Sequence, residues 1–419
     1  MRNRVSELQD KLSHAAKQSL DRRFGALYDK IYRSDVLWTA WKQVKSNRGA
    51  PGIDGISIDY VEKEIGEIKF LKEIQEELHN RTYRPTAVLR CWIDKPGKAE
   101  KRPLGIPVLK DRIVQMATKI VIEPIFEANF LPCSYGFRPG RSTHDAIDKI
   151  RREITFERCH IVIDADIKGY FQNINHDLLL NLVKRRISDP RVVALIKGWL
   201  KSGIMDRDTF HVSGDTGTPQ GGVISPLLAN IYLHCFDKMF SMSGIRGTLV
   251  RYADDLVILL KGSGVRVFKK VSEMLARLGL ELHAGKSRIV DAHKGFDFLG
   301  VHFRLCPVRK QGSRLKESCR LWPSDRSFSR VKENICNRIG RRYGLSLEEM
   351  IAELNPVIRG WNNYHTRLPS SGRKRLRKLN GFVRERLRIF LKRKHNDSTR
   401  GSRRLHSNIL VKLGLCQFG

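Results

Sequence analysis

Arg251-Tyr252-Ala253-Asp254-Asp255-Leu256-Val257-Ile258-Leu259 sets two adjacent acids between two apolar runs. Thr248 to Tyr252 and Leu256 to Leu260 are short and rich in β-branched, aliphatic and aromatic residues, and two such runs joined by a tight polar turn predict a β-hairpin. Its tip then carries Asp254 and Asp255. Neighbouring carboxylates repel, and uncompensated charge beside an apolar strand is costly, so the pair calls for a cation. Mg²⁺ takes hard oxygen ligands, commonly one or two carboxylates together with substrate phosphates. A nucleotidyl-transfer site has these needs; an ordinary Asp-rich turn is the competing explanation of the pair taken by itself.

The charge balance favours the first explanation. Lys and Arg number 78 against 44 Asp and Glu, a formal net charge of +34, and so large an excess points to a polyanion, because each neutralised phosphate releases counterions. With 419 residues and 41% hydrophobic residues, the chain can fill two or three globular domains. No apolar run approaches the roughly 18 to 20 residues of a membrane span, and the N-terminus lacks the apolar core of a signal peptide. A cytoplasmic protein without a membrane partner is expected. The eight cysteines form no C-x-x-C pair, which predicts reduced thiols and no zinc site.

Outward from the hairpin, a second acidic strand runs His160-Ile161-Val162-Ile163-Asp164-Ala165-Asp166, followed by Ile167-Lys168-Gly169-Tyr170-Phe171. Asp164 and Asp166 are two apart and share a sheet face, so spacing does not choose a metal ligand between them. Asn175 can cap the helix that follows. Gly217-Thr218-Pro219-Gln220-Gly221-Gly222 opens onto an apolar helix, and its glycines allow close approach of backbone to a base pair or phosphate. Upstream, Val88 to Ile93, the turn Lys95-Pro96-Gly97-Lys98 and Arg102-Pro103-Leu104-Gly105 predict a basic hairpin suited to phosphate. Ser34 and Asp35 are placed to cap a helix that ends at Gly49-Ala50-Pro51-Gly52. Ser134-Tyr135-Gly136-Phe137-Arg138-Pro139-Gly140-Arg141-Ser142 carries two aromatics and two arginines suited to stacking on a strand and touching its phosphates; a packed Ω-loop is the alternative. Downstream lie a helix from about Val265 to Leu278, the loop His283 to Ser287 and strands near Phe296 to Val301.

Residues 304–419 hold 29 basic and 8 acidic residues, +21 of the total charge, which marks a nucleic-acid-facing domain. Ser346-Leu347-Glu348-Glu349 is a capping-box pattern, and Pro356 is expected to kink or restart the helix behind it. Gly372 to Lys394 predicts a basic helix with Leu376, Leu379, Phe382, Val383, Leu387, Phe390 and Leu391 inside.

Three acids from two strands, a basic hairpin, a Gly-rich loop and a downstream lysine are the parts that templated nucleotide addition needs, since two metals ~3.5–4 Å apart must be held by carboxylates. In the order Ile163 to Phe171, Thr218-Pro219-Gln220-Gly221-Gly222, Tyr252-Ala253-Asp254-Asp255 and Lys286, the chain resembles the reverse transcriptase family. Within it, Gly49 to Gly55, Tyr135 to Arg141, Ser225-Pro226-Leu227-Leu228-Ala229-Asn230 and Val357-Ile358-Arg359-Gly360-Trp361-Asn362-Asn363-Tyr364 look like the group II intron-encoded reverse transcriptase and maturase, over about residues 20 to 395.

That resemblance implies an α+β right-hand polymerase with an antiparallel palm sheet, followed by an α-helical thumb. It divides the chain into a helical extension (1–33), fingers and palm (34–303), a basic thumb or maturase domain (304–395) and a short basic tail (396–419) that could be a remnant DNA-binding segment. It implies Asp166 rather than Asp164 as catalytic acid, five residues before the aromatic gate Phe171, with Asp254 and Asp255 completing the triad and Lys286 as general acid. Two Mg²⁺ ions, with Mn²⁺ as an alternative, would lie at Asp166, Ile167, Asp254 and Asp255. Lys95, Arg102, Phe171 and Gln220 would contact the deoxynucleoside triphosphate, and Arg138, Arg141, Arg359, Lys374, Arg375 and Lys378 nucleic acid. The resemblance implies a bacterial, nucleoid-associated protein whose partners are intron RNA, an RNA template with DNA primer, and target DNA, in a ribonucleoprotein that holds a monomer or dimer of this chain. The expected activity is RNA-directed DNA synthesis with assistance to splicing and retrohoming. No Cys and His cluster of the HNH nuclease type follows residue 395, so a nick, single-stranded DNA or a replication fork is the expected primer source. The alternatives are a splicing factor with an idle polymerase and a related polymerase recruited to phage defence.

Overall fold

The computed structural model describes residues 4–94, 101–206, 209–212, 214–218, 221–308, 316–368, 373–395 and 405–419. Chain contacts divide it into two units. One comprises Met1–Ser142, Ala165–Leu256 and Val265–Ser287, the other Thr143–Asp164, Val257–Gly264 and Arg288–Gly419.

The first unit is built round the helix Leu109–Glu127, which is buried on nearly every side, polar Asp111, Arg112, Gln115 and Thr118 included. The N-terminal helix Arg4–Gln18 lays Val5, Leu8, Leu12 and Ala16 inward, and Gln9 Nε2 donates to Ile120 O at 3.1 Å. Asp189 accepts from the Leu27 and Tyr28 amides at 3.1 and 3.0 Å. Residues 4–33 are therefore packed into this unit and are not an extension to it. Arg33, not Ser34, is the N-cap of helix Ser34–Ser46, and the Arg33 guanidinium grips Asp35. A four-stranded sheet runs in the order Lys101–Ile106, Val88–Asp94, Ile204–Asp206, Thr209–His211. Ile93 faces Arg102 across its antiparallel pair, and Val88 pairs with Ile204 in parallel. The predicted turn at 95–98 lies outside the described residues.

Strands Gly247–Tyr252, Asp255–Leu260, Ile161–Asp166 and Arg288–Asp291 form a second four-stranded sheet in that order. Val250, Val257, Ile258, Val162 and Ile163 are fully buried, the continuous apolar character of a sheet covered on both faces.

In the second unit, Val301–Val308 pairs with Lys316–Pro323 and Phe296–Phe298, so a boundary at 303/304 falls inside a strand. Helices follow at Asp325–Ile339, Leu347–His365, Arg373–Lys394 and Ser407–Lys412. Ile335, Leu354, Leu379, Val383, Leu387 and Phe390 form their common core, and Leu405, Leu410, Leu415 and Phe418 lie in it too. Residues 405–419 are thus structural members of the helical cluster, contrary to their reading as part of a tail, whose residues 396–404 lie outside the described residues. Asparagines pin its backbone: Asn355 Nδ2 donates to Gly414 O (2.9 Å) and Asn355 Oδ1 accepts from Cys416 N (2.8 Å). Asn380 does the same for Phe418 at 3.0 and 2.7 Å. The capping box at Ser346 and Glu349 is present. Pro356 does not restart its helix. Leu354 and Ile358, both buried, hold the turns on either side, while Pro356 and Ala352 face solvent, where the carbonyl deprived of its partner can be hydrated.

Candidate active site

Ala253 at φ 57° and Asp254 make the hairpin turn, and Asp255 opens the second strand. The acids therefore do not both sit in the turn; one lies on it and the other on the strand behind. Arg251 fixes this turn from below. Its guanidinium is fully buried and donates to Asp237 at 2.8 and 2.6 Å, to Asn230 Oδ1 at 2.9 Å and to Ala253 O at 3.1 Å. Burying an ion pair is tolerated only when every donor and lone pair is so engaged. Asn230 in turn donates to Gly136 O at 2.8 Å. A Cβ on Gly136 would stand 2.5 Å from Ala253 N, so only glycine lets this loop lie against the acidic turn. The backbone bonds Tyr135 N to Arg251 O and Arg251 N to Cys133 O, both 2.8 Å, complete the clamp.

That loop is packed at Tyr135 and Arg138, while Phe137 stays exposed (50%). Arg138 is buried, donates twice to Glu127 at 3.0 Å and reaches Leu131 O and Ser134 O. It is committed to the protein and unavailable to phosphate. Tyr135 is buried also, and Arg141 lies over its ring at 5.2 Å.

Asp166 ends its strand on a second support. Its amide donates to Ser287 Oγ at 3.1 Å, its carbonyl accepts from His283 N at 2.8 Å, and Lys286 Nζ lies 3.2 and 3.1 Å from its two carboxylate oxygens. One short loop, His283 to Ser287, thus positions both acid and lysine. Asp164 is engaged elsewhere, by Arg288 Nε at 3.3 Å. Ile167 has a buried side chain and bridges to Leu282, leaving only main-chain oxygen for a ligand role.

Burial is the first cause that raises the Asp254 carboxyl above the ordinary aspartate range; the negative charge of Asp166 adds to it, and Arg102 and Lys286 oppose it. These four groups accordingly share one electrostatic neighbourhood. The donors are carboxylate oxygens, a set suited to a hard divalent cation. Phe171 sits in the short 3₁₀ turn Tyr170–Gln172, edge-on to Tyr170 at 5.2 Å, and Tyr170 Oη donates to Ala229 O at 2.5 Å. The Gly-rich loop is tied to it: Thr218 N donates to Phe171 O and Gly217 N to Ile174 O, both at 2.8 Å. Gly221, at φ 117°, would place a Cβ 2.5 Å from Gly105 O, so this glycine permits close packing of the loop on the basic strand. Gln220 and Lys95 lie outside the described residues, as does the side chain of Lys374. Arg359 and Lys378 are exposed. Arg375 reaches Pro323 O and Asp325 and so joins a strand end to a helix start, in place of the free nucleic-acid contact expected.

Arg251, Asn230 and Ser287 lie within stretches already quoted from the sequence but were given no role there, and Asp237 was not singled out. Asp237 is the single acid of the largely apolar helix Ser225–Met242, and a lone acid there is the signal that could have found it.

An α+β fold whose sheet carries acids on two strands, beside a basic strand and a glycine-rich loop, is that of a nucleotide polymerase. A family profile for reverse transcriptase (RNA-dependent DNA polymerase) matches residues 93–303, and one for the group II intron maturase-specific domain matches residues 328–407. The chain belongs to the reverse transcriptase family. It is 35% identical to Protein YkfC of Escherichia coli over 71% of this chain and 87% of that one. It is 39% identical to the Group II intron-encoded protein LtrA of Lactococcus lactis over 55% of this chain and 37% of that one. An uncharacterized 91 kDa protein in the cob intron of Schizosaccharomyces pombe is 27% identical over 88% of this chain and 54% of its own. The family uses divalent metal ions, in keeping with the donors above. No helix among the described residues is long and apolar enough to cross a membrane.

Proposed function

We propose that Asp166, Asp254 and Asp255 hold two Mg²⁺ ions for RNA-templated DNA synthesis, and that the basic helices after residue 324 bind the intron RNA whose splicing and retrohoming the protein assists. The observation that carries the reading is the shared neighbourhood of a half-buried Asp254, Asp166 and the cations Arg102 and Lys286. When bound, the ions supply activation of a primer 3′ hydroxyl and charge neutralisation of pyrophosphate. The chain does the rest. Asp166 and Asp254, on supports that leave them little freedom, pre-set the ligand geometry. Arg102 offers charge to the triphosphate, and Lys286 holds a proton within reach of the same acids. Phe171 closes the sugar end against a 2′ hydroxyl. Mn²⁺ is an alternative ion for the same oxygen set.

Primer extension on an RNA template tests this, with deoxynucleotides and ribonucleotides in parallel. DNA product that requires Mg²⁺ and disappears in Asp254→Ala is the expected result, and Phe171→Ala should admit ribonucleotides. Equal use of both sugars by the wild type would overturn the gate. Mg²⁺-dependent product that persists in Asp254→Ala would overturn the assignment of the acids.

A further inference from the structure

Away from the polymerase acids, three segments of the second unit bring His160, His293 and Glu317 together, with one potential ligand atom from each lying within 4.8 Å of the others. His160 precedes the Ile161–Asp166 strand, His293 lies in the turn after Arg288–Asp291, and Glu317 belongs to Lys316–Pro323. Asp291 Oδ1 lies 2.7 Å from His293 Nδ1 and also accepts from the His293 amide at 2.8 Å. A carboxylate on one imidazole nitrogen fixes the tautomer and turns the other nitrogen outward as a ligand. That other nitrogen, Nε2, lies 3.0 Å from Glu317 Oε1. The His160 ring stacks on His293, centroids 5.5 Å apart and planes 19° from parallel, and its Nδ1 is buried with no hydrogen-bond partner among the described residues. The turn itself is held rigidly: Ala292 N donates to His160 O at 2.7 Å, Leu305 N to Ala292 O at 2.9 Å and Arg304 Nε to His293 O at 3.0 Å.

We propose that His160, His293 and Glu317 form a first-row transition-metal site, best suited to Zn²⁺, with Asp291 as the orienting carboxylate. Two imidazoles and one carboxylate are the donors such an ion takes, at roughly 2.0–2.2 Å each with water completing four-coordination. Tetrahedral bonds of that length set donors about 3.4 Å apart, and the exposed side chains of His293 and Glu317 (43% and 46%) can close the remaining gap by small rotations. Without metal, a proton on His293 Nε2 serves the Glu317 contact; metal binding displaces that proton to solvent. The ion would staple three sequence-distant segments and so brace the strands that lead into the helical cluster. Cysteine spacing could not reveal this site, because no two of its ligands are close in sequence.

The test uses the full chain, stripped with chelator and kept in excess Mg²⁺ to fill hard oxygen sites. Zn²⁺ titration calorimetry and Co²⁺ visible absorption are read on wild type, His160→Ala, Glu317→Gln and Asp291→Asn, with far-UV circular dichroism to confirm folding. One equivalent is expected to bind, with ligand-field bands and no sulfur charge-transfer band. Its affinity should fall at least tenfold in His160→Ala and Glu317→Gln, and 10- to 100-fold in Asp291→Asn. Thiolate bands, affinity unchanged in the folded Glu317→Gln protein, or no stoichiometric binding below about 10 µM would each overturn the proposal.

Discussion

Arg251 carries a full charge into the interior directly behind the Ala253–Asp254 turn. Removing its partner leaves that charge uncompensated, so Asp237→Ala should cost about 3–5 kcal/mol of stability in urea unfolding and slow DNA synthesis by loosening the turn. His365 is also buried, bonded through Nε2 to Ser327 Oγ at 3.2 Å. Burial, with the charge of His144, lowers its pKa from 6.5 to about 4. Between those values the unfolded chain binds the extra proton, so the stabilising contribution is complete above pH 6.5 and is lost as pH falls toward 4. The loss approaches roughly 3 kcal/mol at most. His365→Gln should flatten stability over that window relative to wild type; an unchanged pH dependence would contradict the argument. Single residues differ in how legible they were. Asp254 and Asp166 stood out because acids beside apolar strands need an explanation. Arg138 misled because an arginine in a polar loop has the same local signature whether it meets phosphate or a buried Glu127.

At the scale of elements, strands and helices with strong periodicity were read correctly in place and type: the acidic hairpin, the Ile161–Asp166 strand, the Ser225–Met242 helix and the basic helix Arg373–Lys394. The helices Ile58–Tyr60 and Glu67–His79 were not read. The C-terminal segment was misread because its apolar residues Leu405, Leu410, Leu415 and Phe418 follow the basic Arg400, Arg403 and Arg404 at intervals that fit no single helical face, and only tertiary packing shows that they share a core. Phe418 is 2% exposed, and Phe418→Ala should destabilise the helical cluster by about 3–5 kcal/mol. Thermal unfolding of that variant close to wild type would return the segment to the status of a tail.

For the whole molecule, charge and chemistry are distributed over different stretches of one chain. The polymerase acids lie in the first unit, while +21 of the +34 falls after residue 303. RNA binding through those cations should weaken steeply with salt. Exposed Lys378 and Arg359, changed to Ala one at a time, should each lower the slope of log affinity against log salt by roughly 0.7–0.9 if each meets one phosphate, measured by filter binding. Charge asymmetry made this division visible in the sequence. Unit boundaries were not, because the strands Ile161–Asp166 and Asp255–Leu260 each pass from one unit to the other, and sequence-contiguous domains cannot represent that.

The most direct measurement compares wild type with the Asp254→Ala, Asp255→Ala double variant for DNA synthesis on an RNA template and for affinity to structured intron RNA, in the same preparation. DNA synthesis abolished with RNA affinity within about twofold of wild type is the predicted result, a change of less than about 0.5 kcal/mol in binding. Loss of both together, or retained synthesis, would contradict it.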